Sequence, residues 1–403
     1  MKKILIPLTI LILFITNASP LLSADPAAVN LKVAFIGDSG AGDNFQAVLN
    51  LIKNENAQIV MHLGDFDYDD GPEKWKQMVD STLGTGFPYL GADGNHDNWD
   101  SDGYAAYFKN KLSQIGLTPP SGNLPSSYAF AWQGLKFVVA KEDGDPSFIE
   151  SQLAADNHQW KICAWHKNQT YMQLGNKSNE QGWPDYETCR KYGAIIATAH
   201  EHSYQRTKTL TSMENLTVDS SAHPLLNGIP QNQNSLLVAP GKSFVFVSGL
   251  GGASIRNQDR CPPAAYPYGG GSGCNYIWAN VYTSDQQAKY GALFITFNAG
   301  GIQNKATGYF KNIAGQITDQ FTVINSQAPP PTVSAGVTLS LQPSGGILPG
   351  DANKDGKVDG VDYVIWLNNY NKSVNNGSVS GDFNLNGKVD GVDYVIWLNN
   401  YNQ

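Results

Sequence analysis

Short apolar runs alternate with helical segments along the first half of the chain. Runs rich in Val, Ile and Phe predict buried strands, and these lie at Leu31–Gly37, Ile59–Gly64, Phe87–Leu90, Leu135–Lys141, Trp160–Trp165 and Ala194–Thr198. Helical spacing of apolar residues predicts a helix over Asp43–Asn54, a second that begins at Pro72, and a third that ends over Glu187–Lys191.

The pattern changes after His202, where short alternating segments are separated by glycine turns. They predict strands at Phe244–Ser248, Asn275–Thr283, Ala292–Asn298, Ala306–Lys311 and Gln316–Ile324. Residues 30–325 are therefore expected to form an α/β (α+β) domain in which two sheets pack face to face and helices cover them, a four-layer β-sandwich with flanking helices. The polar, Asn-rich stretch Thr207–Gly241 is expected to be an insertion loop beside the site.

The N-terminal pattern is typical of an export signal. Two lysines precede an apolar run over Ile4–Ile15, and small residues follow to Ala24. This predicts a signal peptide over residues 1–24, cleaved after Ala18 or Ala24, with a membrane anchor as the alternative. The mature chain is expected to be secreted, extracellular or cell-surface associated, and no later apolar stretch is long enough to span a membrane.

Charge and cysteines add to this picture. The net charge is −8 and no basic patch stands out, so neither nucleic acid nor a membrane is an expected partner. An exported chain can form disulfides. Cys261 and Cys274 bracket a Pro/Gly-rich loop and are the predicted pair, whereas Cys163 and Cys189 either pair or remain separate buried thiols.

The C-terminal region holds an internal repeat. Residues 326–349 are rich in Pro and Gly and predict a linker. In residues 350–403, Gly387–Asn402 repeats Gly356–Asn371 letter for letter. Each copy places oxygen donors at the spacing of a calcium loop and continues into an amphipathic segment. The predicted Ca²⁺ ligands, including the Lys357 and Lys388 carbonyls, are Asp351, Asn353, Asp355, Lys357, Asp359, Asp362, Asp382, Asn384, Asn386, Lys388, Asp390 and Asp393.

Asp stands where an EF-hand carries Glu at the last loop position, and no EF-hand type of helix precedes the first loop. In both respects residues 350–403 resemble dockerin modules, which pair a calcium loop with one helix, twice. The resemblance implies a small all-α domain and a cohesin-like docking partner. A tail that calcium merely stabilises is the alternative.

Polar residues follow five of the strand-like runs of the first domain. The segments are Gly37–Gly40, Gly64–Tyr68, Gly94–Asp97, Trp165–His166 and Ala199–His202. Taken singly, Asp38 or Asp65 could cap a helix and His166 could be structural. Taken together, the O and N donors at strand ends are sufficient for two metal ions, which is an arrangement suited to phosphoester chemistry.

These segments resemble the motifs of calcineurin-type metallophosphoesterases, in detail those of the purple acid phosphatase branch: GDxG, GDxxY, GNH[DE], VxxH and GHxH. Cys163 and Ala199 depart from the motifs at positions that are not ligands. Most of the wider family begins with Asp-x-His, but here Gly40 stands in place of that histidine. Tyr68 is the candidate replacement, and a tyrosinate favours a trivalent ion; the alternative is that Tyr68 is an ordinary aromatic at a strand end.

The resemblance implies a dinuclear centre in which Asp65 bridges the two ions. Fe(III) would be held by Asp38, Asp65, Tyr68 and His202. A divalent ion (Fe, Zn or Mn) would be held by Asp65, Asn95, His166 and His200.

The expected activity is hydrolysis of a phosphate ester by in-line attack of a metal-activated hydroxide, as in an acid phosphatase. His96 is the candidate acid for the leaving group, and Asp97 is the candidate that orients it. The resemblance stops at residues 167–199, which contain no histidine although the branch usually has another there. A phosphodiesterase or nucleotidase of the same fold is an alternative, as is a non-catalytic surface-display protein.

Overall fold

The structure is a computed structural model that describes residues 24–68, 71–117, 121–124, 126–226, 228–261, 276–326, 348–375, 377–384 and 386–401. The chain divides into two compact units, one within Met1–Val333 and one within Ser334–Gln403. The predicted signal peptide, apart from Ala24, and most of the predicted linker lie outside the described residues.

The first unit is built on two large sheets. Among the described residues the first sheet has seven strands in the order Ser235–Val238, Ile317–Asn325, Lys305–Asn312, Gly291–Phe297, Leu31–Ile36, Ile59–His62 and Tyr89–Gly91. The second has eight, in the order Trp278–Tyr282, Tyr204–Thr207, Val245–Ser248, Ile195–Thr198, Trp160–Ala164, Leu135–Val139, Ser127–Trp132 and Ser121–Asn123. Both sheets mix parallel and antiparallel pairs.

The main core lies between the two sheets, where Phe35 of the first sheet meets Phe246 of the second with ring centroids 5.0 Å apart. Helices cover the outer faces, because their apolar residues join separate cores on the far side of each sheet. The helices Asp43–Asn54, Pro72–Leu83 and Tyr104–Gln114 cover the first sheet, and Pro146–Leu153 and Trp183–Lys191 cover the second. These mixed sheets with flanking helices are the fold class that the sequence predicts.

Most of the predicted strands end within one or two residues of their predicted bounds, and the helix Asp43–Asn54 has its predicted bounds. The strand predicted over Asn275–Thr283 is shorter and spans Trp278–Tyr282, whereas the strand predicted over Ala306–Lys311 is longer and spans Lys305–Asn312. The region Thr207–Gly241 is not a single loop. It contains two small hairpins, Leu210–Ser212 with Thr217–Val218 and Leu225–Leu226 with Ile229–Pro230. It ends in Ser235–Val238, which pairs with Ile317–Asn325 at the edge of the first sheet, because its Leu and Val residues supply the apolar contacts that the polar remainder lacks.

The second unit contains two equivalent helices, Gly360–Asn369 and Gly391–Asn400. Asp359 and Asp390 cap them, each in a reciprocal capping box with the aspartate three residues later. The two halves are joined symmetrically, since the Trp366 indole donates to the Asp390 carbonyl and the Trp397 indole donates to the Asp359 carbonyl, both at 2.9 Å.

The structure shows the pairing of two cysteines, which the sequence alone left open. Cys163 and Cys189 form a disulfide that ties a strand of the second sheet to the helix Trp183–Lys191. Cys261 is also disulfide-bonded, but Cys274 lies outside the described residues, so its pairing stays a prediction. Among the helices that the structure describes, none has the length and apolar character needed to cross a bilayer.

Candidate metal centre

Four strands bring the polar motifs together at one end of the sheets. Asp38 and Asp65 follow the parallel neighbours Leu31–Ile36 and Ile59–His62 of the first sheet. His166 and His200 follow the parallel neighbours Trp160–Ala164 and Ile195–Thr198 of the second. Because parallel strands end at the same edge of a sheet, the four side chains meet there. The sheets approach closely at this edge, where a side chain on Gly37 would collide with Ala199.

One group of potential ligand atoms belongs to Asp38, Asp65 and His202, which lie within 4.8 Å of one another. The Tyr68 hydroxyl joins this group, 3.1 Å from His202 Nε2 and 3.3 Å from Asp38 Oδ1. The first of the two ligand sets proposed from the sequence is thus assembled in space.

A second group consists of Asp65, His166 and His200, also within 4.8 Å of one another. His166 Nε2 lies 3.3 Å from Asp65 Oδ1 and 3.0 Å from His200 Nδ1. Asp65 belongs to both groups, which is the position of a bridging ligand.

The three histidines are each fixed by a bond to the ring nitrogen that faces away from the cluster. The outward nitrogens of His166, His200 and His202 meet the Leu63 carbonyl at 2.7 Å, the Glu180 carboxylate at 2.9 Å and the Ser254 hydroxyl at 2.5 Å. Histidines that bind metals are oriented by such outer partners. The inward nitrogens are therefore left for ligation, and the donor set fits two metal ions.

Local backbone strain accompanies this arrangement. Asp38, Asp65, Tyr68 and His200 all have left-handed backbone conformations, with φ between 52° and 66°. Such conformations are costly for residues other than glycine and tend to persist at functional sites. Gly64, with φ of 87°, makes room here, because a side chain on it would meet the His166 ring.

The loop of Asn95, His96 and Asp97 closes over the Asp65 motif. The Asp97 carboxylate accepts bonds from the backbone N–H groups of Asp65, Phe66 and Gly94 at 2.8–3.0 Å. The His96 N–H donates to Asp65 Oδ1 at 3.0 Å. Asp97 thus holds two motifs together through the backbone, and among the described residues no bond joins it to the His96 ring.

The side chains of Asn95 and His96 are exposed and line a cavity of about 420 Å³ together with Tyr68 and Asp67. The His96 ring packs on Tyr68 with centroids 4.7 Å apart. His96 is therefore open to solvent beside the ligand cluster, where a leaving group could reach it.

Burial and neighbouring charges shift the pKa values of the cluster. At His166 burial is outweighed by the Asp65 carboxylate, which raises the pKa of that imidazole to about 9. Burial raises the pKa of Asp38 to about 8, and it lowers the pKa of His200 to about 2 and that of His202 to about 3. Both imidazoles are therefore neutral, the form that binds metals. Burial and the nearby Asp38 and Asp65 raise the pKa of the Tyr68 hydroxyl, so a tyrosinate here needs cations to offset the carboxylates.

A glycine-rich turn over Ser248–Gly252 lies against the ligand segments. Gly251 N–H donates to the Gly37 carbonyl at 2.9 Å and Ala253 N–H donates to the Asp38 carbonyl at 3.0 Å. A side chain on Gly249 would meet Asp38 Oδ2 and the Glu201 backbone, so glycine is required by close approach.

Some neighbours of the cluster were not identified from the sequence. Glu180 lies within the histidine-free stretch, and Ser254 and Arg256 follow the glycine turn. The Glu201 carboxylate, between the two histidines, is buried, has no hydrogen-bond partner among the described residues and lies 3.6 Å from the Arg256 guanidinium. In the sequence, Glu201 is marked only by its place in the His-x-His motif. No sequence motif marks Glu180, Ser254 or Arg256.

Comparison with known proteins agrees with this geometry. Residues 31–204 match the family model of the Calcineurin-like phosphoesterase, a match that covers less than half of the chain. No curated protein sequence matches the chain. Residues 31–204 are thus similar in sequence to the calcineurin-like phosphoesterases.

The fold is similar to that of a solved structure. The purple acid phosphatase PPD1 from yellow lupin (Lupinus luteus) seeds matches with a TM-score of 0.54 and 18% identity over 80% of this chain, which spans 59% of the lupin chain. PhoD matches with a TM-score of 0.48 and 11% identity over 75% of this chain and 71% of its own. At 18% identity, the similarity to the lupin enzyme concerns the fold alone. The similarity to PhoD is weaker and supports no conclusion about this chain.

Proposed function

We propose that this chain is a hydrolase of phosphate esters with a dinuclear metal centre. The observation that carries the proposal is the sharing of Asp65 between two groups of ligand atoms, each within 4.8 Å. A buried carboxylate that faces three histidines and a second carboxylate has no evident structural use, whereas two cations would satisfy all of these groups at once.

Asp38, Asp65, Tyr68 and His202 would hold Fe(III), and Asp65, Asn95, His166 and His200 would hold a divalent ion. When bound, the two ions supply an activated water and offset the charge of the phosphoryl group. The protein residues orient this centre: Glu180, Ser254 and the Leu63 carbonyl fix the histidine rings, and Asp97 fixes the backbone on either side of Asp65.

His96 is the proposed general acid. Its ring is exposed in the 420 Å³ cavity and stacks beside Tyr68, while its backbone is anchored to Asp65. A protonated imidazole at this place would donate a proton to the leaving oxygen. Metal binding does not depend on the His96 ring in this scheme.

The proposal is tested by metal analysis and turnover of the purified protein with the substitution Asp65→Asn. We expect about two transition-metal ions per chain in the wild type, together with hydrolysis of p-nitrophenyl phosphate or bis-p-nitrophenyl phosphate. Asp65→Asn should lose both metal and activity, while Asp43→Asn, at an exposed helix start, should keep both. A metal-free wild type that folds normally and hydrolyses neither compound would refute the proposal and favour a binding or display protein. The two compounds also separate a monoesterase from a phosphodiesterase.

We also propose that the second unit binds two calcium ions. Its loops hold four buried carboxylates, those of Asp351, Asp362, Asp382 and Asp393, and no described residue forms an ion pair with them. Asp351 and Asp382 accept backbone N–H bonds across their loops, and Gly356 and Gly387 make the turn with φ of 84° and 83°. Buried carboxylates without a cation are costly, and Ca²⁺ would remove that cost.

The same unit presents a surface that suits a docking role with a cohesin-like protein. Val361, Val364 and Leu367 are each about half exposed along one helix, and Val392, Val395 and Leu398 repeat them on the other. Exposed apolar stripes of this kind mark protein-binding surfaces. A pull-down with a cohesin domain tests this role by comparing the wild type with a variant that carries Val364→Asp and Val395→Asp. Equal capture of the two proteins would exclude the role.

Export of the chain is proposed on the basis of the N-terminal pattern and is supported by the Cys163–Cys189 disulfide, a bond typical of oxidising compartments. N-terminal sequencing of the protein recovered outside the cell should begin at Ser19 or Asp25. Retention of Met1 in an exclusively intracellular protein would contradict export.

A further inference from the structure

A second cavity of about 470 Å³ adjoins the metal centre. It is lined by Asn176, Lys177, Glu201, Ile255, Arg256, Asn257, Asp259 and Ser284. Glu201 connects it to the centre, because the residues on either side of Glu201 are the proposed ligands His200 and His202. A volume of this size is within the range of small-molecule sites.

Arg256 is held rigidly at the wall of this cavity. Its backbone N–H donates to the His202 carbonyl at 2.9 Å, and its Nη1 donates to the His200 carbonyl at 3.2 Å. The same Nη1 lies 3.6 Å from the buried Glu201 carboxylate. Among the described residues no partner is found for Nε or Nη2, so the guanidinium retains donors for a ligand.

Lys177 is the second cation of the cavity. It lies in the histidine-free stretch after His166, and no described residue accepts a bond from its Nζ. Lys177 and Arg256 line the same cavity. Burial and the Arg256 charge lower the pKa of Lys177, while Glu180, Glu201 and Asp38 act in the opposite direction. Of the acidic residues of the wall, Glu201 lies under Arg256, and Asp259 accepts a bond from Asn257 at 2.6 Å.

Two partly exposed cations with unused donors beside a phosphoester centre indicate an anionic group on the substrate. We infer that this cavity binds a second phosphoryl group, so that the preferred substrate is a diphosphate such as pyrophosphate or a nucleoside diphosphate. The inference rests on the proposed hydrolase function. In the reaction, water adds across one P–O–P bond; one phosphoryl group leaves the centre as inorganic phosphate, and the other, held by Arg256 and Lys177, leaves with the bridging oxygen and a proton.

The test compares substrates that differ by this group. For the metal-loaded wild type, kcat/KM is measured for p-nitrophenyl phosphate, inorganic pyrophosphate and ADP. We expect the ratio of diphosphate to monoester kcat/KM to fall about tenfold or more in Lys177→Gln and in Arg256→Gln, since each substitution removes a charge-assisted hydrogen bond to the second phosphoryl group. Pyrophosphate and ADP separate recognition of the phosphoryl group from recognition of a nucleoside.

A binding measurement accompanies the kinetics. Calorimetric titration gives the Kd for methylene diphosphonate, which is not hydrolysed, and the Kd for inorganic phosphate. The ratio of the first Kd to the second should rise about tenfold or more in both variants, compared with the wild type. Lys53→Gln, at an exposed helical lysine far along the chain from the site, is the matched control and should change neither ratio.

The outcomes are distinguishable. A wild type that hydrolyses none of the three compounds and is also inactive on bis-p-nitrophenyl phosphate overturns the proposed hydrolase function, whereas activity on bis-p-nitrophenyl phosphate alone overturns only the assignment of this cavity. A wild type that hydrolyses p-nitrophenyl phosphate, together with variants whose substrate ratio and diphosphonate affinity match those of Lys53→Gln, leaves the hydrolase intact and overturns the assignment of this cavity.

Discussion

Tyr68 reaches the ligand cluster only through its hydroxyl, 3.1 Å from His202 and 3.3 Å from Asp38. A phenolate bound to Fe(III) gives a visible charge-transfer band. Tyr68→Phe removes the donor and keeps the ring that packs on His96, so we expect the band to disappear while the fold is retained. Absorption spectra with metal analysis measure this. Tyr171→Phe, at an exposed ring, is the control. A band that survives Tyr68→Phe, or an active colourless zinc or manganese enzyme, would contradict the tyrosinate assignment.

His96 has an exposed ring beside the centre and no side-chain bond to the ligand group among the described residues. His96→Ala should therefore keep the metal content of the wild type. Loss of a positioned acid typically lowers kcat by roughly 10²–10⁴-fold. Parallel metal analysis and steady-state kinetics test this, with His158→Ala as the control, because His158 bonds Asp156 away from the cluster. Full turnover by a metal-replete His96→Ala protein would show that the leaving group needs no acid from this residue.

The ligands could be predicted at the residue scale because each belongs to a short motif at a strand end. Their outer partners could not, since Glu180, Ser254 and Arg256 are brought to the site by chain segments that carry no motif of their own. The expected role of Asp97 illustrates the same limit. Its carboxylate bonds backbone N–H groups, and sequence spacing does not reveal such contacts.

At the element scale, a buried ion pair joins the two sheets. Arg206 lies on Tyr204–Thr207 of the second sheet, and Asp319 lies on Ile317–Asn325 of the first. Their side chains form two bonds of 2.6 and 2.9 Å, both are almost fully buried, and the Tyr204 hydroxyl donates to the same carboxylate at 2.7 Å. The pair fixes the relative position of the sheets at the end of the core.

Asp319→Ala would leave the Arg206 guanidinium buried without its counter-charge. We expect the free energy of unfolding of the first unit to fall by about 3–5 kcal/mol, as measured by chemical denaturation. Glu73→Ala is the control, because Glu73 pairs with Lys76 at 2.7 Å but is exposed, and such pairs contribute about 0–1 kcal/mol. Equal stabilities of the two variants would refute a structural role for the buried pair.

Secondary structure was predictable where apolar periodicity is strong, as in the helix Asp43–Asn54 and the strands of both sheets. The helix Tyr104–Gln114 and the strand Tyr204–Thr207 were not predicted. Tyr204–Thr207 is fully buried although it contains the polar residues Gln205 and Arg206, and the Arg206 charge is paired with Asp319 on the other sheet. A polar sequence of this kind does not predict a core strand. A local sequence pattern does not reveal long-range pairing of this kind.

On the scale of the whole molecule, the chain forms two compact units, and each contains a cluster of buried carboxylates. The order of the motifs along the chain made the two-part organisation predictable, because the first set ends at His202 and the proposed calcium loops begin at Asp351. The sequence does not specify the relative stability of the two units.

Calcium is expected to stabilise the second unit selectively. Binding to the folded state alone adds about 2.7 kcal/mol of stability when free calcium is 100 times Kd. Scanning calorimetry should therefore show one transition that moves to higher temperature when Ca²⁺ is added to calcium-free protein, and a second transition that does not move. In the double variant Asp362→Asn and Asp393→Asn the calcium-dependent shift should vanish, since each substitution removes a buried loop carboxylate. Asp25→Asn is the control and should keep the shift. If both transitions respond equally to Ca²⁺, or if the double variant still responds, the two loops are not the calcium sites.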